Sequence, residues 1–519
     1  MSKELQTLPI GIQSFEMLRK RGHLYVDKTA RLMELVSSDR CFLSRPRRFG
    51  KSLTLSTLDA MFRGKVELFK GLAAEGWVAE QAKRPAPVLR LDMSMMNVRD
   101  VVQFEESLNS TLTWRAEDAG EGLSSKQPSD RFQELIRALY KQGGPVVVLI
   151  DEYDKPILDK IGNLEAAEAM REALRGFYTV LKGCDEYLRF VMLTGISRFT
   201  RTGVFSAMNN LRDISMVEEF GDIVGYTQEE LERDFSDWID DAAGKMGFSR
   251  QELLMRMKDY YDGFCFDGRT RLYNPFSILN FLADRKFKNY WYHSGSPTFI
   301  LSYLRSHGID DPEVYRHKSV PADFADSQEI ERAKPESFLF QSGYLTIESA
   351  EEQELTLDYP NREVLNAISR LYLDNVYRVE GFTALGSNLW RALKDGDIEG
   401  AVRLYNTALA GIPYQDFTQQ NESLYRSLFL MLLRGAGVTA QGEVPTNRGR
   451  SDILVLFPSR AVVLEFKLAR SAGEVTRLRA EGRKQIEEKG YAKPYDGEGR
   501  AVTTAVIVID AEKHEAECP

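Results

Sequence analysis

Three consecutive residues near the N-terminus, Gly50-Lys51-Ser52, are of the types that bind nucleoside triphosphates. Backbone N–H groups at a helix start bind phosphate oxygens, the lysine reaches the β- and γ-phosphates, and the serine hydroxyl ligates Mg²⁺. Arg45 stands where the usual pattern has its first glycine, so the motif is incomplete. On its own, the triplet does not separate a nucleotide site from chance. The neighbouring Arg47 and Arg48 either bind phosphate oxygens or only solvate the loop.

A second group of polar residues follows two apolar segments further along the chain. Asp151 and Glu152 come directly after the run Pro145–Ile150, about 100 residues beyond Lys51. Carboxylates at the end of a buried parallel strand lie where such sheets bind ligands, although a solvated acidic loop is the alternative. Asp151 would hold Mg²⁺ and Glu152 would polarise the attacking water. Thr194 ends the next strand, and Arg198 either stabilises transferred phosphoryl charge or forms a surface salt bridge.

Together these residues predict an ATP site with bound Mg²⁺. The nucleotide-binding residues are predicted to be Arg48, Gly50, Lys51, Ser52, Leu53, Asp151 and Thr194, with Ser52 and Asp151 on the metal and Glu152 and Arg198 as catalytic groups.

A second constellation lies near the C-terminus. Glu465 and Lys467 are two residues apart in an apolar run, so their side chains share one face of a strand, and Asp452 lies on the strand before. Converging carboxylates bind Mg²⁺ or Mn²⁺, and a lysine beside them orients water or neutralises a pentavalent phosphorus, which predicts metal-assisted phosphodiester hydrolysis. Glu422 would add a carboxylate metal ligand, and Gln485 would steady the lysine or a phosphate. The alternative is a cross-strand charge pair.

Charge around this constellation favours a polyanionic partner. Residues Thr446–Pro494 hold eleven Lys and Arg against six acidic residues, a net charge of +5 within a chain of −9. Neutralising phosphates requires such a concentration of positive charge, although a solvated basic helix would have the same composition.

The elements that must position these groups alternate between strands and helices. Arg40–Ser44, Val88–Asp92, Pro145–Ile150 and Leu188–Thr194 read as strands, with helical spacing over Ser129–Gln142 and Leu164–Leu181, which predicts a three-layer α/β domain. Thr227 followed by Glu230 predicts a capped helix start in a mostly helical second region. Alternation returns beyond residue 413. We therefore expect domains over 1–222, 223–378 and 379–519.

Composition excludes several classes of protein. The 519 residues are 43% hydrophobic and 28% charged, near globular averages, and no apolar run approaches the roughly 20 residues of a membrane span. The four cysteines, Cys41, Cys184, Cys265 and Cys518, form no paired motif, and no secretory leader is visible. We expect a reduced, cytoplasmic protein.

Several short motifs together resemble a known family: prokaryotic AAA-ATPase-like proteins with a C-terminal PD-(D/E)XK nuclease-superfamily domain. The resemblance covers nearly the whole chain and is carried by Leu8–Ile12, Tyr25–Thr29, Arg45–Ser52, Asp151–Asp154, Gly195–Arg198, Asn209–Leu211, Tyr261–Phe264, Tyr273–Pro275 and Gln341–Leu345. It implies a P-loop NTPase domain, a helical middle domain and a restriction-endonuclease-like α/β domain. It also implies ATP binding at Lys51, Ser52 and Asp151, and a nuclease-type core at Asp452, Glu465 and Lys467 with Gln485 on the following helix.

Two functions follow from these predictions. The first is an ATP-binding and ATP-hydrolysing protein coupled to a metal-dependent nuclease, with ATP and Mg²⁺ as cofactors and Mn²⁺ as another ion for the C-terminal site. Its expected partner is nucleic acid, and DNA is the expected form. A homo-oligomer is a further possibility, and no association with a membrane is expected. The alternative is an ATP-switched signalling or scaffold protein whose C-terminal domain binds without cutting.

Overall fold

The computed structural model describes residues 5–198, 211–293, 300, 303–304, 311–326, 333–413, 421–496 and 499–517. The predicted motif at Asn209 and Asn210, and Cys518, lie outside these residues. The chain forms two compact units: Met1–Tyr303 with His317–Glu363, and Leu304–Arg316 with Val364–Pro519. The three domains expected from the sequence remain a prediction.

The first unit is built on a parallel five-stranded sheet in the order β2-β3-β4-β1-β5. Its strands are β1 (Arg40–Ser44), β2 (Val88–Asp92), β3 (Val146–Asp151), β4 (Leu188–Gly195) and β5 (Arg212–Asp213). All six residues of β3 are buried, as expected for a central parallel strand covered on both faces. The four strands predicted from the sequence are therefore confirmed.

Helices alternate with these strands along the chain, and they include the two predicted over Ser129–Gln142 and Leu164–Leu181. They are Phe15–Lys20, Thr29–Leu35, Lys51–Phe62, Glu75–Gln81, Val101–Asp118, Pro128–Gly143, Lys155–Leu158 and Leu164–Gly183. The helix Lys51–Phe62 packs on β2 and β3, while Pro128–Gly143 packs on Leu164–Gly183. The arrangement is the predicted α/β domain.

Strand register sets where the polar residues lie. In the parallel pairs Ile150 lies beside Leu193 and Ser44 beside Gly195. The segments that follow β1, β3 and β4 therefore emerge at one edge of the sheet, which is the edge where parallel sheets bind ligands.

The middle of the chain is mostly helical, as predicted. Its helices are Gln228–Asp234, Ser236–Met246, Arg250–Tyr261, Pro275–Asp284, Tyr290–His293 and Pro335–Ser342, and the chain continues through Arg362–Leu371. Thr227 and Glu230 form the expected capping box at the first of them. The sequence analysis missed a small antiparallel sheet of β6 (Lys318–Pro321), β7 (Thr346–Ala350) and β8 (Glu354–Asp358), in the order β6-β8-β7.

The second unit contains a mixed sheet in the order β13-β12-β11-β10-β9. Its strands are β9 (Gln441–Thr446), β10 (Gly449–Leu456), β11 (Arg460–Ala469), β12 (Ala501–Asp510) and β13 (Glu515–Glu517), with helices Phe382–Asp395, Ile398–Ala410, Glu422–Gly435 and Val475–Lys489. β10 and β11 are antiparallel, whereas β11 and β12 are parallel. The predicted hairpin that presents Asp452 beside Glu465 is present.

Two further observations bear on the sequence predictions. Cys41, Cys184 and Cys265 are buried free thiols. Among the residues described, no helix has both the length and the apolar character required to cross a bilayer.

Candidate functional site

The segment between β1 and the helix Lys51–Phe62 forms the loop in which the sequence predicts phosphate binding. Gly50 caps the helix at φ 99°, a left-handed conformation that glycine adopts without a steric penalty, and its carbonyl accepts the Thr54 N–H at 2.9 Å. The Lys51 side chain is buried and folds back along the loop, where Nζ donates to the carbonyls of Arg45 at 2.7 Å and Pro46 at 2.8 Å. The ammonium group is therefore held inside the loop.

Lys51 shares its surroundings with the acidic end of β3. Burial lowers the pKa of Lys51, and the nearby carboxylates of Glu152 and Asp151 oppose that shift. Burial likewise raises the pKa of Glu152, opposed first by Lys51. The structure thus brings together the lysine and both acids of the two predicted motifs.

Asp151 and Thr194 form a direct contact across neighbouring strands. Both are almost completely buried, and Thr194 Oγ1 donates to Asp151 Oδ1 at 2.6 Å. Glu152 follows with φ 48°, and its N–H donates to the same oxygen at 3.1 Å. A non-glycine residue in this conformation is held there by its surroundings, a kind of strain that is concentrated at functional sites.

Ser52 is the second residue of the helix Lys51–Phe62. It is partly exposed, and its carbonyl accepts a hydrogen bond from Arg90 at 3.2 Å. Among the described contacts, none joins Ser52 directly to Asp151. Both nevertheless belong to elements that pack together, since the helix beginning at Lys51 lies on β3.

A pocket of about 320 Å³ opens beside the loop. Arg48, Gly50, Leu53 and Glu152 line it, so it includes four of the predicted site residues. The Arg48 guanidinium lies 5.0 Å from the centre of the Phe276 ring. Arg47, for which the sequence left phosphate binding and solvation of the loop open, also lines the pocket. The remaining lining residues were not predicted as site residues, and they are Pro9, Gly11, Ile12, Gln13, Lys155, Tyr226, Pro275, Phe276 and Leu279. The motifs Leu8–Ile12 and Tyr273–Pro275 overlap this set and were the available signal.

Arg45 is buried rather than directed to a phosphate. Its guanidinium lies 4.5 Å from the centre of the Phe266 ring and Nη1 donates to the Ser44 carbonyl at 3.0 Å. Burial lowers its pKa to about 10. The residue that replaces the usual first glycine therefore anchors the base of the loop.

Arg198 is also buried, at 8% exposure, and is engaged within the first unit. Nε donates to Asp213 at 2.8 Å, and Nη1 donates to the Ala325 carbonyl at 3.0 Å. In the described contacts the guanidinium of Arg198 forms an ion pair with Asp213, so the predicted catalytic role of Arg198 stays a prediction.

The residue Asp154 joins β3 to the turn after β4. Its buried carboxylate accepts the N–H groups of Ile196 at 3.0 Å and Ser197 at 2.6 Å, and the Ser197 hydroxyl at 2.6 Å. A Cβ at Gly195 would lie 2.3 Å from the Tyr153 ring, so only glycine fits there. These contacts fix the edge from which Asp151 and Thr194 project.

In the second unit, β10 and β11 bring Asp452, Glu465 and Lys467 together. Asp452 Oδ2 accepts the Phe466 N–H at 2.7 Å, and Lys467 Nζ donates to Glu465 Oε1 at 2.7 Å. Glu465 is 2% exposed, and its Oε2 is buried with no hydrogen-bond partner among the residues described. Burial, followed by the charge of Asp452, raises the pKa of Glu465 to about 7. A buried carboxylate oxygen without a donor suits a divalent cation, so these residues fit the predicted metal.

Glu422 lies beside this group at the start of the helix Glu422–Gly435. Burial raises its pKa, the charge of Lys467 opposes that rise, and the charge of Asp452 adds to it. Arg426, one turn later, was not predicted from the sequence. It donates to Asp452 Oδ1 at 3.1 Å and to Glu443 at 2.7 Å.

Gln485 is less directly connected to the carboxylates. Its amide donates to the Tyr491 hydroxyl at 3.3 Å, and its helix, Val475–Lys489, packs on β11 and β12. Among the described contacts, none links it to Lys467. Its role at the metal site stays a prediction.

Much of the predicted positive charge on this unit is paired. Arg477 contacts Glu474 and Glu481, Arg479 contacts Glu517, and Lys484 contacts Glu488. Exposed pairs of this kind contribute little to stability.

A further group of ligand-type side chains was not expected. Glu348 and Asp358 lie on β7 and β8 of the small sheet, His317 directly precedes β6, and their ligand atoms are within 4.8 Å of one another. The His317 imidazole is exposed, with Nδ1 at 2.7 Å from Glu348.

Comparison with known proteins gives matches along most of the chain. Residues 9–205 match the family described as predicted AAA-ATPase, and residues 420–517 match the PD-(D/E)XK nuclease superfamily. An uncharacterized protein encoded in the vnfD 5′ region of Azotobacter chroococcum mcd 1 is 33% identical over 509 residues, which cover 95% of this chain and 95% of that protein.

Two solved structures align with part of the chain. The Aeropyrum pernix ORC1 protein in complex with DNA is 9% identical, with a TM-score of 0.25, and the alignment covers 66% of this chain and 92% of that one. The Aeropyrum pernix ORC2 protein is 10% identical, with a TM-score of 0.27, covering 66% and 91%.

Proposed function

Because the chain belongs to the family of predicted AAA-ATPases that carry a PD-(D/E)XK nuclease-superfamily domain, we propose that it hydrolyses ATP in its first unit and cuts nucleic acid in its second. The single observation that carries the first half is the buried Lys51 ammonium, held inside a helix-capping loop beside Asp151 and Glu152. The observation that supports the second half is the buried Oε2 of Glu465, beside Asp452 and Lys467, which has no hydrogen-bond partner within the described part of the chain.

In the first unit, backbone N–H groups at the start of the helix Lys51–Phe62 bind the phosphates of ATP. Lys51 Nζ exchanges its bonds to the loop carbonyls for β- and γ-phosphate oxygens. Ser52 and Asp151 would hold Mg²⁺, which neutralises charge on the phosphates. Arg48 and Leu53 bind the rest of the nucleotide in the pocket that they line.

Hydrolysis requires a base for the attacking water. Glu152 follows Asp151 at the sheet edge, and its raised pKa brings it closer to the range in which a carboxylate accepts a proton at neutral pH. Thr194, hydrogen-bonded to Asp151, fixes the orientation of that carboxylate. Arg198 would stabilise charge on the transferred phosphoryl group only after leaving Asp213.

In the second unit, Glu422, Asp452 and Glu465 would hold Mg²⁺ or Mn²⁺, which supplies Lewis-acid activation of water and phosphate. Lys467 positions the water or neutralises charge on phosphorus, and Gln485 contacts the backbone of the nucleic acid. We further propose that DNA is the substrate and that ATP binding gates its cleavage. The domain boundaries are proposed at 222/223 and 378/379, and copies of the chain are proposed to associate.

The two halves of the proposal, ATP hydrolysis in the first unit and nucleic-acid cleavage in the second, are tested separately. Lys51→Ala should abolish phosphate release from ATP, whereas Lys83→Ala, which removes an exposed lysine paired with Glu80, should leave it unchanged. Asp452→Ala should abolish metal-dependent cleavage without affecting ATP hydrolysis. Equal ATP turnover by wild type and Lys51→Ala would contradict the first half.

The alternative function is an ATP-switched scaffold whose second unit binds nucleic acid or protein without cutting. The Asp452, Glu465 and Lys467 set is complete and brought together, which favours cutting. A wild-type protein that binds nucleic acid but leaves it intact with Mg²⁺, Mn²⁺ and ATP would favour the scaffold instead.

A further inference from the structure

Arg426 lies at the centre of the proposed metal site, on the same face of its helix as Glu422 and four residues further on. Its side chain is 13% exposed. One terminal nitrogen, Nη1, donates to Asp452 Oδ1 at 3.1 Å, and the other, Nη2, donates to Glu443 Oε1 at 2.7 Å. Nε is buried with no partner among the described residues. The guanidinium therefore bridges a proposed metal ligand and a second carboxylate.

The two core carboxylates are neutralised by different cations. Asp452 accepts Arg426 on Oδ1 and the Phe466 N–H on Oδ2, so both of its oxygens are engaged. Glu465 accepts Lys467 on Oε1, while Oε2 has no donor among the described residues. A divalent ion thus meets no competing donor at Oε2 of Glu465 among the described residues, whereas at Asp452 it competes with a guanidinium for the charge of the carboxylate.

Glu443 offers the displaced guanidinium a place to remain. It lies on β9, is half exposed, and already accepts Nη2 of Arg426. Because Nη1 and Nη2 contact different carboxylates, the bond to Asp452 can open while the bond to Glu443 persists. This avoids leaving a buried arginine without a counter-charge, which would be strongly unfavourable.

We propose that Arg426 is a positioning residue that competes with the divalent cation for Asp452 and so sets the metal affinity of the site. This inference rests on the proposed nuclease function. In the metal-free protein the arginine holds Asp452 on the site-facing side of β10 and cancels its charge. When the cation binds, Arg426 would release Asp452 Oδ1 and keep its hydrogen bond to Glu443 Oε1.

The test is Mn²⁺ binding by the full-length chain, measured by electron paramagnetic resonance without ATP or nucleic acid. Arg426→Gln and Arg426→Met keep much of the side-chain packing but remove the charge. Each should tighten Mn²⁺ binding by roughly ten-fold, as expected for removing one positive charge about 6 Å from a divalent ion in a water-like dielectric. Arg426→Lys, which retains the charge, should return the affinity towards that of wild type.

Two controls separate this inference from the proposed function. Arg477→Gln removes an exposed arginine of the same unit and should leave Mn²⁺ affinity unchanged. Asp452→Asn should lose the Mn²⁺ site. If wild type and Asp452→Asn bind Mn²⁺ equally, the proposed metal site itself fails.

Other outcomes address Arg426 alone. If Asp452→Asn loses the site but the neutral variants bind Mn²⁺ as wild type does, or more weakly, competition is refuted and the nuclease proposal stands. If circular dichroism shows that both neutral variants fail to fold, the pair is required structurally and does not open, which also overturns the inference.

Discussion

Glu363 is a buried acid whose protonation should control the stability of the first unit. It is fully buried, and its carboxylate accepts the Ser277 hydroxyl at 2.7 Å and the Trp291 N–H at 2.8 Å. Burial raises its pKa from 4.5 to about 8, and these hydrogen bonds offset only part of that rise. The group is therefore neutral at pH 6 and charged at pH 9.

The sign of the pH dependence follows from this shift. Between pH 4.5 and about 8 the folded state binds a proton that the unfolded state has released, so the free energy of unfolding falls as pH rises. Each pKa unit corresponds to about 1.4 kcal/mol, so raising the pH from 6 to 9 should remove about 3 kcal/mol through this one group. Glu363→Gln, which resembles the neutral acid in shape and hydrogen bonding, should lack that loss.

Urea unfolding of wild type and Glu363→Gln at pH 6 and pH 9 tests the reasoning. The variant should have nearly wild-type stability at pH 6 and be more stable than wild type at pH 9. Trp291 Nε1 also donates to the Arg47 carbonyl of the phosphate loop at 3.3 Å, so ATP affinity should fall less with pH in the variant. Parallel pH profiles for the two proteins would refute a raised pKa at Glu363.

Three further substitutions give distinct outcomes. Glu152→Gln should retain ATP binding in a fluorescent-nucleotide assay but slow hydrolysis by roughly 100-fold or more, and unchanged turnover would exclude it as the base. Gly195→Ala should lower the free energy of unfolding of the first unit by about 1–3 kcal/mol in thermal denaturation, because the new Cβ would lie 2.3 Å from the Tyr153 ring. Gly482→Ala should destabilise the second unit by a similar amount in urea unfolding, because the new Cβ would lie 2.6 Å from Val506 Cγ1. An unfolding midpoint equal to that of wild type would contradict the described packing of this helix.

The sequence predicted those parts of the fold that have strong local patterns. The run Pro145–Ile150 is apolar and β-branched throughout, and the structure buries every residue of β3. The small sheet β6-β8-β7 was missed because β7 and β8 are short, partly exposed strands of a hairpin, and β6 pairs with β8 from more than thirty residues away. β6 contains a proline and carries three exposed residues, so nothing local distinguishes it from a loop.

The residues of the candidate sites were likewise predictable only where a short-range pattern marks them. Lys51 with Asp151, and Glu465 with Lys467, were identified because their types and spacing imply a shared chemistry. Arg426 was not identified, because its contact with Asp452 depends on how its helix packs on the sheet, and no short-range sequence pattern predicts that packing. Gln485 was assigned from its place on the helix after the strand and from the resemblance, and its described hydrogen bond is to Tyr491.

The most direct measurement of the proposed function is cleavage of single- and double-stranded DNA and RNA by wild type and Lys467→Ala, with Mg²⁺ or Mn²⁺, in the presence and absence of ATP. Wild type should cut at least one of these substrates in a metal-dependent manner, and ATP should change the rate. Lys467→Ala should leave every substrate intact, whereas Lys513→Ala, an exposed lysine of the same unit, should cut as wild type does. Intact substrates under all conditions, or equal cleavage by wild type and Lys467→Ala, would contradict the assignment of the second unit as a nuclease.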